Sequence, residues 1–225
     1  MKRNSTEKKV TSQFKRKKEN YNENIYSLKK FEKENLIVAI RVRPMNSREI
    51  EFSNLDAIKI TNMKIVTVLD PLEHLGKSED VNNRREQQYA FDFAFENNSS
   101  QEEVYANTAK LLLNGVIEGF NATVFAYGAT GAGKTFTMVG TGENPGVMVR
   151  SLNDLFSIID LQHDKAIKIY LSYIEIYNDI IRDLLIDQDG PNDIDVREDP
   201  QKGVTLVGIN EVIVTEVSEV FQLLM

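Results

Sequence analysis

The sequence predicts a layered α/β fold with a central, mostly parallel sheet flanked by helices. Three observations predict it. Short apolar runs alternate along the chain with segments of helical periodicity, and strands separated by helices favour parallel pairing. The runs Leu36–Ile40 and Thr123–Tyr127 lack polar alternation, as do strands covered on both faces. A glycine-rich loop, Gly128 to Thr135, joins the second run to a helical segment.

The bulk numbers fit this class. The 225 residues allow one large domain or at most two. A hydrophobic share of 41% is enough for a sizeable core, and no apolar run is long enough to span a bilayer. There is no cysteine, which removes disulfides and thiolate-bound metals. The net charge of −7 is unevenly spread. Residues 1–33 hold eleven Lys/Arg and four Glu, a net of +7, and the remainder carries −14. A basic, disordered arm over 1–33 and one domain over 34–225 are expected. Such an arm suits a polyanion: nucleic acid, an acidic protein surface or a membrane face. Lys15 to Lys18 could serve as an import signal, but a solvated arm is the favoured reading. No apolar segment of the secretory kind is present.

The elements are expected as follows. Leu36–Ile40 is a strand, and alternation places Arg41 and Arg43 on one face with Val42 on the other. Pro44 ends it. Ile65–Leu69 is a short strand, Glu73–Gln88 a long polar loop, and Tyr89–Phe95 a single alternating strand. Ser99 and Glu102 form a candidate capping box. They open a helix with Val104, Thr108, Leu111, Leu112 and Val116 at helical spacing, closed near Gly119. After the loop, Leu152, Leu155, Phe156 and Ile159 mark a helix. Ala166–Tyr177 is a long strand, followed by a helical piece through Ile181, Leu184 and Leu185. Ile194–Val196 and Val204–Val214 are strands around a turn at residues 199–203, and Ser218–Met225 starts a helix.

The chemistry sits in Gly128-Ala129-Thr130-Gly131-Ala132-Gly133-Lys134-Thr135, which fits G-x-x-x-x-G-K-[ST] at every fixed position. Glycines let the backbone N–H groups point inward at phosphate oxygens, where side chains would crowd the ligand. Lys134 supplies positive charge for the β- and γ-phosphates. The Thr135 hydroxyl is a hard oxygen ligand for Mg²⁺. A helix starting near Lys134 adds its dipole. The chain is therefore expected to be a P-loop NTPase that binds ATP with Mg²⁺.

The flanks are more specific. Gly119 to Met138 closely resembles the P-loop region of kinesin motor heads. Ile40-Arg-Val-Arg-Pro44 resembles the kinesin "R-x-R-P" strand. Tyr89–Phe95 with Ser100–Tyr105 is similar to "F-x-F-D … Q-x-x-V-Y". Ser172–Asn178 with Ile181–Leu185 is similar to "E-I-Y-N-E … D-L-L". The P-loop variant, Pro145–Met148 and the run Arg197–Gly203 look most like the kinesin-eight class. The likeness covers residues 36 to 225.

The resemblance implies several roles. Arg41, Arg43 and Pro44 would border adenine and ribose, and Phe136 would stack near the base, where Tyr or His is usual. Phe120 likewise replaces a common Tyr. Arg197 and Lys202 would contact tubulin, whose acidic surface suits basic side chains. The implied partner is the microtubule, in the cytoplasm. No membrane partner is expected, and a nucleic acid is not the expected one. The switch elements "N-x-x-S-S-R-S-H" and "D-x-x-G" do not occur in the sequence. Little or no ATP turnover by these 225 residues is therefore expected, and a non-motile, nucleotide- and microtubule-binding protein is the alternative. An unrelated P-loop enzyme would not explain the flanking matches.

Overall fold

A computed structural model describes residues 36–52, 57–69, 86–162, 166–186, 194–201 and 203–224. The basic arm, most of the loop over 73–88 and Lys202 lie outside the described residues. The chain divides into two units, Met1–Val147 and Met148–Met225.

In the first unit, strand β1 (Ala39–Arg41) is followed by helix α1 (Ser47–Phe52) and strands β2 (Ile58–Thr61), β3 (Ile65–Val68), β4 (Gln87–Ala90) and β5 (Phe93–Phe95). β2, β3 and β4 form an antiparallel sheet, whereas β5 pairs in parallel with β1, aligning Ile40 with Ala94. The expected single strand Tyr89–Phe95 is thus two strands in two sheets. Asp92 makes the transfer. Its carboxylate accepts from the Val38 N–H at 2.8 Å, and its own N–H donates to the Val38 carbonyl at 3.1 Å. Val66, Ala94 and Phe95 are buried, but Leu36 and Val38 remain exposed at 66% and 44%. The run Leu36–Ile40 is therefore not covered on both faces.

Ser100, not Ser99, caps the next helix, α2 (Gln101–Ala106), by accepting from the Glu103 N–H at 3.1 Å. The same S-x-x-E spacing recurs one residue later, and the helix that Ser100 opens buries Val104 and Tyr105. The expected long helix is broken. Asn107 Nδ2 bonds the Glu103 carbonyl at 2.8 Å, and Thr108 Oγ1 bonds the Val104 carbonyl at 2.6 Å. Short polar side chains compete with the backbone ladder in this way. A 3₁₀ turn, Ala109–Leu112, leads into α3 (Leu113–Glu118), and Gly119 closes it at φ 101°.

Thr123–Tyr127, expected as a buried strand, is unpaired among the described residues. Phe125 is 75% exposed and Tyr127 95%. Apolar sequence confers strand propensity, but a strand forms only where a neighbour accepts its ladder. The loop then enters α4 (Lys134–Met138). A tight turn follows, in which the Gly146 N–H returns to the Val139 carbonyl at 2.8 Å.

In the second unit, α5 (Val147–Asp160) packs Phe156 and Leu152 with Val214, Val220, Ile169 and Leu171. β6 (Ile169–Leu171) pairs antiparallel with β11 (Val212–Val214). The expected strand over 166–177 stops there, and β7 (Ile174–Tyr177) turns back on β8 (Ile180–Asp183), where a helical piece was expected. The cause is Asn178-Asp179, at φ 48° and 62°, the left-handed pair that a type I′ hairpin requires. β9 (Asp195–Asp199) and β10 (Gly203–Val207) form a second hairpin. Helix α6 (Val217–Leu224) closes the described chain. Buried Asp183 accepts from the Leu185 N–H at 2.8 Å and from the Asn210 N–H and Nδ2 at 2.8 and 3.1 Å. Burial pushes its carboxyl up, but those donors hold it below the usual range.

The α/β class stands. Among the described pairs the parallel one is β1–β5, and the others are antiparallel hairpins and ribbons.

Candidate nucleotide site

The site is built where the end of β1 meets the start of α4. Val42 N–H continues the β1–β5 register by donating to the Phe95 carbonyl at 2.9 Å. This carries Arg41 and Arg43 to one side, as alternation predicts. Arg41, Arg43, Pro44, Gly133, Phe136 and Thr137 line one cavity of about 220 Å³. That is below the roughly 300–1,000 Å³ of sites enclosing drug-sized ligands. It suits a flat heterocycle, not a whole nucleoside triphosphate.

The two arginines are held differently. Arg41 Nη1 donates to Gln101 Oε1 at 2.7 Å and to Thr137 Oγ1 at 3.1 Å, and Nη2 donates to the Ser99 carbonyl at 3.2 Å. Its guanidinium lies 5.2 Å from the centre of the Phe136 ring, within cation–π range. Burial lowers its pKa, from a value so high that the charge stays.

Arg43 makes a fork with Glu49, at 2.7 Å to Oε2 and 2.5 Å to Oε1, and Nη1 also reaches the Pro44 carbonyl at 2.9 Å. Glu49 further accepts from the Asn46 N–H at 2.9 Å, while Asn46 Oδ1 accepts from the Glu49 N–H at 3.0 Å. This reciprocal cap opens α1. The Arg43 bond first, then the Asn46 N–H, hold the Glu49 carboxyl down at about 2. The same bond raises the Arg43 pKa.

The loop over 128–135 is closed on itself. Lys134 Nζ donates to the Gly128 and Ala129 carbonyls at 2.9 and 3.0 Å, and Ala132 N–H donates to the Ala129 carbonyl at 3.1 Å. Gly131 and Gly133 sit at φ 81° and 92°, where a side chain would be strained. A Cβ on Gly128 would stand 3.1 Å from the Ala132 Cβ. The residues therefore form a cradle that side chains would fill, which fits a triphosphate. Ala129, Thr130, Gly131 and Thr135 are exposed. α4 is five residues long, so its dipole is weak, and the loop's N–H groups rather than the dipole would meet the phosphates. The Thr135 hydroxyl fits Mg²⁺, which keeps waters and takes substrate phosphates in place of a protein cage.

Sequence reasoning missed Gln101, Glu49 and Asn46. Asn46-x-x-Glu49 was a readable capping signal. Gln101 shares the buried stripe of Val104 and Tyr105, a polar residue at apolar spacing. Arg197 lies outside this site, on β9, with Nε 2.9 Å from Asp195 Oδ2.

The kinesin motor domain family matches residues 41–225. The chain belongs to that family. It is 44% identical to "Kinesin-like protein KIF19" of Xenopus laevis, over 84% of this chain and 19% of the relative. It is 39% identical to "Kinesin-like protein KIN-8B" of Arabidopsis thaliana, over 84% and 23%, in keeping with the expected kinesin-eight likeness. A solved structure of a fast kinesin superposes with a TM-score of 0.73 at 30% identity, covering 84% of this chain and 51% of that one. A KIF14 dimer with AMP-PNP on a microtubule gives 0.72 at 31%, covering 84% and 52%. This kinesin chain thus spans about a fifth of the length of its curated relatives and about half that of the solved heads.

Proposed function

We propose that the chain binds ATP with Mg²⁺ as part of a kinesin motor head, covering residues 34–225, whose whole protein moves along microtubules in the cytoplasm. The convergence of Arg41, Arg43, Pro44 and Phe136 on one cavity beside the loop 128–135 carries this reading. The base would lie against the faces of Phe136 and the guanidinium groups, and the phosphates over the loop. Mg²⁺, bound through the phosphates and the Thr135 hydroxyl, would neutralise phosphate charge. Lys134 would exchange its two carbonyl partners for phosphate oxygens. Lys134→Ala should weaken binding of a fluorescent ATP analogue by at least roughly a hundredfold while thermal unfolding stays unchanged. Equal affinity in the variant would refute the P-loop assignment. Thr135→Asn should impair chiefly the Mg²⁺-dependent part.

Microtubule contact is supported by the KIF14 complexes among the structural relatives and by exposed Arg197 on the β9–β10 hairpin. Asp195 partly neutralises Arg197, so its share is small. Arg197→Ala should lower co-sedimentation with microtubules modestly, and only at low salt. A salt-independent loss would point to a folding defect instead. The alternative, binding with little turnover, is supported by the unpaired segment Thr123–Tyr127, which leads straight into the loop. Microtubule-stimulated turnover at ordinary motor rates by these 225 residues would rule it out.

A further inference from the structure

We propose that Gln101 is the positioning residue that sets the base-binding wall against the phosphate loop. The inference rests on the nucleotide reading above and deepens it. Gln101 is 4% exposed and sits at the first turn of α2. Its Oε1 accepts from Arg41 Nη1 at 2.7 Å, and its Nε2 donates to the Phe136 carbonyl at 2.6 Å. The amide orientation is fixed chemically. A guanidinium only donates and a carbonyl only accepts, so the flipped amide would lose both bonds. Nε2 also lies 3.5 Å from the Asn144 carbonyl, in the turn after α4.

One buried amide therefore ties the end of β1 to the residue that follows Thr135. With Thr137 and Ser99 it occupies three of Arg41's five N–H donors. So held, the guanidinium lies 5.2 Å from the centre of the Phe136 ring, where its flat face can meet a planar ligand. The phosphate loop does not need this tie. Its own bonds are those of Lys134 to Gly128 and Ala129, and of the Thr137 N–H to the Gly133 carbonyl at 2.9 Å. Loss of Gln101 should therefore loosen the grip on the base and spare the grip on the phosphates.

The test compares two ligands on the full chain, ATP and inorganic tripolyphosphate, each with Mg²⁺. Gln101→Met keeps side-chain length and apolar packing but loses both hydrogen bonds. It should weaken ATP roughly tenfold and leave tripolyphosphate within about twofold of wild type. Gln101→Glu keeps the Arg41 bond and sets an acceptor against the Phe136 carbonyl. It should weaken ATP by about threefold, again sparing tripolyphosphate. Should the Met variant fail to fold by circular dichroism, the Glu variant decides alone. Unchanged ATP affinity, or equal loss of both ligands, overturns the positioning role. A wild-type chain that binds neither ligand overturns the nucleotide reading itself.

Discussion

The two sides of the candidate site are held by different means. The base side depends on residues far apart in sequence. Arg41 is seated by Gln101 and Thr137, 60 and 96 positions away, and β1 is pinned by Asp92, 54 positions from Val38. The phosphate side depends on its own eight residues. Lys134 bonds carbonyls five and six positions back, and glycine dihedrals set the loop's path. The wall is thus a product of the tertiary fold, while the loop is close to a local property of its sequence. Damage to packing should reach the wall first, and damage to the loop should reach ligand binding without unfolding the unit.

The largest expected effect falls on the wall's outer brace, the turn after α4. Gly140 has φ 76°, and a Cβ there would stand within 2.2 Å of the Asn144 carbonyl oxygen and 2.4 Å of the Gly146 nitrogen. Both obstacles are backbone, so neither can rotate away. Gly140→Ala should cost about 3 kcal/mol, from left-handed strain plus overpacking. Thermal unfolding should fall by roughly 10 °C. A melting temperature within about 2 °C of wild type would show that the turn yields, and that the wall is less dependent on packing than its bonds suggest.

The same division explains what could be read from sequence. The loop over 128–135 could be proposed from sequence because the G-x-x-x-x-G-K-[ST] spacing is local. The shared face of Arg41 and Arg43 was legible from strand alternation, and the helix over 147–160 from its periodicity. Other features were not, because they depend on which neighbour wins. Tyr89–Phe95 alternates as one strand would, yet Asp92 takes the backbone of Val38 and divides it between two sheets. Thr123–Tyr127 has the composition of a buried strand and lacks a described partner. Asn178-Asp179 did carry a hairpin signal, masked by the helical spacing of Ile181, Leu184 and Leu185. Gln101 was visible as the first residue of the kinesin-like Q-x-x-V-Y segment and as a polar residue on an apolar stripe, but its role needed Arg41 and Phe136 in place.

On the loop side, Gly131→Ala gives the intermediate case. Gly131 has φ 81° and open space around its would-be Cβ, so strain is the only penalty. It should cost about 1–2 kcal/mol of stability, and lower ATP affinity by a larger factor than the stability change alone accounts for. Isothermal titration beside a thermal melt separates the two. A large fall in melting temperature with unchanged ATP affinity would reverse the proposed division of labour.

The smallest effect is expected at the wall's rim, in the Arg43–Glu49 pair. Its side chains are 38% and 39% exposed, so solvent screens the attraction. The Glu49 carboxyl is depressed from 4.5 to about 2 in the folded chain. A depressed acid stabilises the fold above its unfolded value and loses that contribution as pH falls through its folded value. The Glu49 contribution should therefore be complete at pH 6 and fade between 4.5 and about 2. Glu49→Gln lacks it throughout, so the melting curves of variant and wild type should differ slightly at pH 6 and converge near pH 2. The gap at pH 6 should also shrink with added salt. A gap that survives both acid and salt would overturn the charge-based account, since protonated Glu49 is as neutral as Gln and both accept only a weaker bond from the Asn46 N–H.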